Sequence, residues 1–233
     1  MCGRYVIEGY QELSERFQLR QIPFTLFPMF NAAPSQELPV VTENDEGERT
    51  IQLMRWGLVP RWQKPGQTAS VAPINARAET LLEKPMFRSL VKRQRCLIPA
   101  NGFYEWQRLD GRKQPYFIHL HDDALFGFAG LYDEAAGDNS FTIITTAAND
   151  LVAPIHNRMP VILAPGDEAD WLSPDLDDSH AAQALLQPYP AAEMAADAVS
   201  TAVNNARNNT PDLLDPIEPS EQAQLLEEPK SSR

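Results

Sequence analysis

The sequence predicts an α+β protein: a single domain with an antiparallel sheet or barrel-like core flanked by helices. From Arg95 onward, short apolar or aromatic runs alternate with turn-forming segments such as LDGRKQ and EAAGDN, which is typical of an antiparallel sheet or barrel. Segments with helical spacing occur before and after these runs. No internal repeat or linker interrupts the chain up to about Pro216, so one domain is the economical interpretation.

The N-terminal half is predicted to contain two helical segments on either side of a hairpin. Residues 9–20 place apolar side chains at helical spacing. A short strand is predicted at Leu38–Thr42, and residues 50–60 alternate well enough to be its hairpin partner. Residues 77–94 also have a helical pattern, which Pro85 is expected to break or kink.

The C-terminal half is predicted to contain the strands of the core and then two helices. The strand-like runs are RCLIPA, GFYEWQR, QPYFIHL, ALFGFAGLYD and SFTIITTA. Helices are predicted at residues 166–172 and 179–187, the second with Ser179 as its N-cap. Residues 217–233 are rich in Pro and Glu and are predicted to be an acidic, disordered tail that follows a domain of residues 1–216.

The net charge of the chain conceals an uneven distribution. Its 20 Lys and Arg against 32 Asp and Glu give −12, a balance that by itself argues against binding to nucleic-acid phosphates. However, residues 51–120 carry 12 basic and 4 acidic side chains, whereas residues 161–233 carry 3 and 14. The net charge of the whole chain therefore does not exclude binding to nucleic acid.

Cysteine use and hydropathy indicate a soluble protein of a reducing compartment. Two distant cysteines, Cys2 and Cys96, form no disulfide framework and match no zinc-ligand spacing. The N-terminus has no apolar signal region, and no apolar run is long enough to cross a membrane. Glycine-rich phosphate loops and dinucleotide fingerprints are also absent from the sequence. We expect a cytoplasmic monomer that uses no cofactor, no metal and no membrane.

Cys2 is the first candidate for chemistry. A small residue at position 2 is the usual condition for removal of the initiator Met, which would place a thiol and a free α-amine on one residue. That amine titrates near 7.7–8.0, so part of it is nucleophilic at neutral pH. An aldehyde can react with such a pair to form an imine and then a thiazolidine; a thiolate can instead attack an amide carbonyl. Alternatively, Cys2 is only a small residue next to the start.

Three further residues fit a site built around Cys2. Arg4 follows Cys2 and a flexible glycine, and a guanidinium suits phosphate. Asn75 and Arg77 are two residues apart, so they lie on one face if that segment is extended.

An acid and a base are available farther along the chain. Glu105 lies among aromatic residues, where desolvation would raise its pKa into a useful range; the alternative is a carboxylate facing solvent. His156 and Arg158 lie in the segment IHNRMPVIL. A lone histidine is more often structural than catalytic, and that alternative stays open for His156.

Taken together, these segments resemble the SRAP family, the SOS-response-associated peptidases or abasic-site processing proteins. The resemblance covers about Cys2 to Pro216. Its motifs are MCGRY, NAAP, RWGLVPRW, INARAET, RCLIPANGFYEW, FAGLYD, TTAAN, IHNRMPVIL and VNNARNNTPDLLDP.

The resemblance implies a sensor of abasic sites in single-stranded DNA. In this interpretation Cys2, after loss of Met1, traps the ring-opened sugar aldehyde as a thiazolidine crosslink. Asn75 would hold the Cys2 amine or the new ring, and Glu105 would move protons during imine formation. His156 would hydrogen-bond the opened sugar. The family is also credited with removal of its own leader and with lyase activity at abasic sites.

Six residues are predicted to contact the DNA. Three arginines are assigned to phosphates, an aromatic and a proline to base stacking or wedging, and a threonine to the DNA backbone. These residues are Arg4, Arg77, Arg158, Trp62, Pro34 and Thr146. This chain has Arg61 before Trp62, where many members of the family have another aromatic or a small residue. We expect Arg61 to alter stacking there and to add a phosphate contact.

Two alternatives from other functional classes remain open. Class II amidotransferases and other N-terminal-nucleophile hydrolases also begin with Cys-Gly after Met removal, although nothing here indicates an ammonia-accepting domain. The second alternative is a noncovalent single-stranded-DNA-binding module in which Cys2 is incidental. Crosslinking to abasic DNA, glutaminase activity and the effect of Cys2→Ala distinguish the three.

Overall fold

The computed structural model describes residues 2–44, 46–59, 72–109, 111–135, 138–176 and 178–217. In this part of the chain the strands are β1 Tyr5–Ile7, β2 Met29–Ala32, β3 Glu37–Glu43, β4 Arg49–Trp56, β5 Asn75–Arg77, β6 Arg95–Ala100, β7 Gly102–Leu109, β8 Arg112–Leu120, β9 Phe126–Ala135, β10 Asp138–Ala147, β11 Arg158–Pro160, β12 Ile162–Leu163 and β13 Met194–Ala198. The α-helices are α1 Leu13–Arg16, α2 Pro85–Arg88, α3 Leu90–Arg93, α4 Pro165–Leu172 and α5 Ser179–Ala184.

The strands form two sheets, which confirms the predicted α+β class. The first sheet has the order β13-β8-β7-β1-β2. The second has the order β11-β10-β4-β3-β6-β9-β12, with β5 beside β10. Because β10 also pairs with β9, the strands β10, β4, β3, β6 and β9 close into a ring. The barrel-like core is therefore a closed sheet with a second sheet packed on it.

The prediction of an antiparallel core needs one correction, because two of the strand pairs are parallel. β10 runs parallel to β4 at Ser140 and Phe141, and parallel to β5 from Ile143 to Thr145. A parallel neighbour requires a long crossover, and the sequence between β5 and β10 supplies it with the helices α2 and α3 and the strands β6 to β9. Local strand patterns do not carry this information, so the sequence could not reveal it.

The two sheets share one apolar core. Tyr5 of β1 packs against Trp56 of β4 with ring centroids 5.3 Å apart, and Phe103 of β7 packs against Phe128 of β9 at 6.0 Å. On its other face, the first sheet is covered by the C-terminal segment. Its contacts form a smaller cluster of Val6, Tyr104, Phe117, Val199, Val203 and Leu213. Helices α3 and α4 pack on β6 and β9 of the closed sheet.

Several predicted elements are correct and others need correction. The strand at 38–42 lies inside β3, and its hairpin partner is β4. The helix expected over 9–20 is reduced to α1, because Gln18 takes a left-handed conformation with φ 56°. The segment 77–94 is broken as predicted: it forms no continuous helix, and Pro85 is the first residue of α2. This position suits proline because its missing N–H has no partner there.

The helix predicted at 179–187 has a different cap from the one expected. Asp178 is its N-cap and accepts a hydrogen bond from the backbone N–H of His180, so the assignment to Ser179 was wrong. At the C-terminus, Ile217 still donates its N–H to the carbonyl oxygen of Ala198. Residues 218–233, which hold the rest of the predicted tail, lie outside the described residues.

We predict that Gly102→Ala destabilises the fold by about 2 kcal/mol through overpacking. A Cβ at this position would lie 2.4 Å from Cε2 of Phe117 and 2.8 Å from the carbonyl oxygen of Ile118. Gly9→Ala is the matched control, because its Cβ would lie no closer than 3.6 Å to another atom. Urea unfolding measures both free energies; equal values would contradict the packing described for β7 and β8.

Candidate active site

Cys2 lies just before β1 and is fully buried. Its Sγ lies 3.7 Å from the carbonyl oxygen of Arg4, to which the thiol donates a weak hydrogen bond. Burial raises the pKa of the Cys2 thiol, and the nearby Glu105 carboxylate raises it further. The sulfur is therefore held as a neutral thiol in this arrangement.

Asn75 connects the Cys2 backbone to the closed sheet. The residue begins β5, where it pairs with Ile143 of β10. Its Nδ2 donates a hydrogen bond of 2.8 Å to the carbonyl oxygen of Cys2. Its Oδ1 is buried and accepts no hydrogen bond from the described residues. The Asn75 side chain thus fixes Cys2 with one end and presents an acceptor with the other.

Glu105 lies on the inner face of β7 and is only 3% exposed. It is two residues after Phe103, a core residue, and alternate residues of a strand share a face. Burial raises the pKa of the Glu105 carboxyl, while the neighbouring His156 lowers it by a smaller amount. The predicted environment of Glu105 is confirmed: the group is desolvated and does not face solvent.

His156 approaches the same place from the loop between β10 and β11. Its Nδ1 lies 3.0 Å from the backbone nitrogen of Arg158, whose N–H can only donate. Nδ1 also lies 3.2 Å from the carbonyl oxygen of Arg158; the tautomer with its proton on Nε2 satisfies the first of these two contacts. His156 lies close enough to Glu105 to lower the pKa of that carboxyl, and Glu105 raises the pKa of the Cys2 thiol, so a carboxyl and an imidazole both lie near Cys2.

Two of the arginines predicted to contact DNA are held by the protein itself. Arg4 donates 2.9 Å hydrogen bonds to Oδ1 of Asn31 and to the carbonyl oxygen of Val203, and burial lowers its pKa. Arg158 donates through both terminal nitrogens to the carboxylate of Glu79, whose pKa is lowered mainly by these hydrogen bonds. Their guanidinium groups are thus fixed in direction before any ligand is present.

The remaining residues predicted to contact DNA differ in accessibility. Arg77 is exposed on β5, two residues after Asn75. Pro34 is half-buried in the turn that joins β2 and β3. Thr146 is 6% exposed and lies opposite Met159 of β11. Trp62 lies outside the described residues.

Sequence reasoning missed several residues that support the site. Asn31 is nearly fully buried; it accepts from Arg4 and donates from Nδ2 to carbonyl oxygens of Val203, Asn205 and Asn208. Glu79 was also missed as the partner of Arg158. Both residues occur in the quoted motifs NAAP and INARAET, but a motif does not state which side chains pair.

No group of three or more His, Cys, Asp or Glu side chains is placed to hold a metal ion in the described ranges. No helix among the same residues is long and apolar enough to cross a membrane.

The fold and the site define a class of α+β protein in which a cysteine at position 2 lies near a buried carboxyl, Glu105, and a half-buried histidine, His156. The family model for SOS response associated peptidase (SRAP) matches residues 1–206. The chain therefore belongs to the SRAP family, which confirms the resemblance found in the sequence.

Relatives and solved structures agree with this assignment. The chain is 43% identical over 224 residues to abasic site processing protein YoqW of Bacillus subtilis, with 92% of this chain and 99% of the relative covered. It is 37% identical over 227 residues to abasic site processing protein HMCES of Gallus gallus, with 82% and 67% covered. A crystal structure of a protein from Bacteroides thetaiotaomicron is similar, with a TM-score of 0.83, 27% identity, and coverage of 93% of this chain and all of the other.

We predict that Glu105→Gln stabilises the folded protein at neutral pH. The pKa of Glu105 is raised above its ordinary value of 4.5 by burial, so the folded state binds the proton more tightly than the unfolded state. Below pH 4.5 the carboxyl is protonated in both the folded and the unfolded state, so burial of a charge does not lower the free energy of unfolding. The free energy of unfolding falls as the pH rises from there through the raised pKa. Glutamine removes this loss of stability, and the gain should disappear in acid.

Urea unfolding at neutral and at acidic pH measures this difference. Glu37→Gln, at an exposed carboxylate on β3, is the control and should change the free energy of unfolding by less than about 0.5 kcal/mol at either pH. A Glu105→Gln protein less stable than wild type at neutral pH would contradict the burial argument.

Proposed function

We propose that this protein processes abasic sites in single-stranded DNA by forming a covalent bond between Cys2 and the opened sugar. One observation carries the proposal: the Cys2 backbone is held by Asn75 near the buried carboxyl of Glu105, which has His156 as a neighbour. The names of the relatives, which are abasic site processing proteins, support the same substrate.

The proposed reaction begins with hydrolysis of the bond between Met1 and Cys2, which consumes one water and frees the α-amine. An abasic sugar is in equilibrium with its ring-opened aldehyde. The amine attacks the aldehyde carbon, and loss of one water gives an imine. The Cys2 sulfur then bonds to the same carbon while the thiol proton passes to the nitrogen. The product is a thiazolidine, and the net change in this stage is the loss of one water.

The acid–base pair suits the proton transfers in this sequence. Imine formation requires a proton on the departing hydroxyl and removal of a proton from the amine, and a carboxyl with a raised pKa can do both near neutral pH. The Nε2–H of His156 is a donor for the sugar oxygen during ring opening. The buried Oδ1 of Asn75 is an acceptor for the Cys2 amine or for the ring N–H that replaces it.

A neutral thiol is compatible with this order of steps. A thiolate is a strong nucleophile for amide carbonyls, but burial and Glu105 raise the Cys2 pKa and disfavour it. The amine therefore attacks first, and the sulfur closes the ring afterwards. The same carboxyl and imidazole can promote hydrolysis of the Met1–Cys2 bond by water and strand cleavage at the abasic site from the imine, and neither step requires a Cys2 thiolate.

The DNA backbone is proposed to pass over the exposed end of β5. Arg77 is exposed next to Asn75, so it can contact a phosphate beside the captured sugar. Arg158 can also contact a phosphate, which would either replace the Glu79 carboxylate as its partner or bind to Arg158 beside it. Pro34 and Thr146 are the proposed base and backbone contacts. Arg4 is proposed to act mainly by holding the start of β1 in place.

We predict that wild-type protein with Met1 removed forms a heat-stable crosslink with single-stranded DNA that contains an abasic site. Cys2→Ala should form none, because it lacks the sulfur that closes the ring. Cys96→Ala is the matched control: it removes the other buried cysteine, which lies on β6, and should crosslink like wild type. Denaturing electrophoresis measures both.

Other outcomes would favour other functions. A Cys2→Ala protein that crosslinks as well as wild type would exclude the proposed chemistry. DNA affinity without any crosslink in the wild type would indicate a noncovalent binding module. Release of ammonia from glutamine would indicate an amidotransferase.

We predict that Arg77→Ala weakens binding to single-stranded DNA and flattens its salt dependence. Loss of one phosphate contact should lower the slope of log affinity against log salt by about 0.7. Arg20→Ala is the control, because Arg20 is exposed and pairs with Glu48 away from β5. Fluorescence anisotropy over a salt series measures the slopes. An unchanged slope for Arg77→Ala would contradict the proposal that the DNA passes over β5.

A further inference from the structure

The acid and the base of the candidate site come from different sheets. Glu105 lies on β7 of the five-stranded sheet, whereas His156 lies in the loop between β10 and β11 of the closed sheet. Their separation therefore depends on how the two sheets are fixed relative to each other at this point. Proton transfer is sensitive to such a distance, and a displacement of about 1 Å can slow a reaction on the order of a hundredfold.

One side chain joins these two elements directly. Gln107 is two residues after Glu105 on β7, so it lies on the same face of the strand. Its Nε2 donates a 3.1 Å hydrogen bond to the carbonyl oxygen of Pro154, two residues before His156. The bond connects the strand that carries the acid to the loop that carries the base.

Gln107 is itself held in direction by a neighbouring strand. The hydroxyl of Tyr116 on β8 donates a 3.1 Å hydrogen bond to Oε1 of Gln107. Tyr116 pairs with Glu105 in the β7–β8 register. With its oxygen engaged by Tyr116, the amide of Gln107 turns its nitrogen toward Pro154.

Other hydrogen bonds hold the loop internally and to the chain around the start of β13, where Nδ2 of Asn149 lies 3.3 Å from Sδ of Met194. Asn149 accepts a 3.0 Å hydrogen bond from the backbone N–H of Val152 and donates to the carbonyl oxygen of Tyr189. The backbone N–H of His156 donates to the carbonyl oxygen of Val152. These bonds fold the loop and hold it near the start of β13, whereas the bond from Gln107 ties it to β7, the strand that carries Glu105.

We propose that Gln107, oriented by Tyr116, is a positioning residue that sets the distance between His156 and Glu105. The proposal rests on the proposed function for its consequence in catalysis, but the placement of His156 can be measured without it. The side-chain hydrogen bonds of Gln107 run to Pro154 and Tyr116, so its effect is proposed to pass through the His156 loop.

Gln107→Met tests this role, since methionine keeps the length of the side chain and loses both hydrogen bonds. The ring resonances of His156 in the NMR spectrum, assigned with His156→Ala, should shift at constant pH. The rate constant for crosslinking should fall roughly tenfold, while affinity for single-stranded DNA with a tetrahydrofuran abasic analogue, which has no aldehyde, stays near wild type.

Gln52→Met is the matched control. Gln52 also accepts a side-chain hydrogen bond between strands, from Nδ2 of Asn139 at 3.0 Å, but it lies on β4 outside the site. It should leave the His156 resonances and the crosslinking rate unchanged. Tyr116→Phe should lower the crosslinking rate constant by less than Gln107→Met does. In the double variant it should cause no further loss, because both substitutions act through the hydrogen bond from Gln107 to Pro154.

The possible failures are distinguishable. Unmoved His156 resonances in Gln107→Met, or additive rate losses with Tyr116→Phe, would overturn the positioning role. A wild-type protein that forms no crosslink would overturn the proposed function, whereas the NMR result would still decide whether Gln107 places the His156 loop.

Discussion

The hydrogen bond from Nδ2 of Asn75 to the carbonyl oxygen of Cys2 joins the two sheets at the candidate active site. Asn75 belongs to β5, which depends on its parallel pairing with β10 of the closed sheet. Cys2 leads into β1, which lies between β2 and β7 of the other sheet. The bond therefore holds Cys2, the proposed nucleophile, near Glu105 of β7 and near the loop that follows β10. The rest of the site depends on this alignment.

The chemistry of the site follows from its position at the edge of an apolar core. Along one face of β7, Phe103 packs in the core, Glu105 is a buried carboxyl, and Gln107 reaches the His156 loop. Burial raises the pKa of the Glu105 carboxyl, so the group keeps its proton to a higher pH than a solvated carboxyl does. The same burial costs folding free energy when the group is charged, so the proposed role of Glu105 as a proton carrier comes at a cost in stability.

The sequence predicted the composition of the site better than its geometry. MCGRY, INARAET and GFYEW indicated Cys2, Asn75 and Glu105, and aromatic neighbours correctly indicated a desolvated carboxyl at Glu105. The parallel pairing of β5 with β10 and the partners of Arg4 and Arg158 could not be predicted, because each depends on residues distant in the chain. For example, Arg4 is held by a carbonyl at Val203, and no local pattern relates these two positions.

The mass of the DNA adduct tests the central claim most directly. If Cys2 captures the sugar aldehyde as a thiazolidine, intact mass spectrometry should give the protein without Met1 plus the DNA strand, less one water. Peptide mapping should place the bond at Cys2, and borohydride should leave the mass unchanged, because the thiazolidine contains no C=N bond. An adduct that retains Met1, maps to another residue, or gains two hydrogens with borohydride would contradict the account.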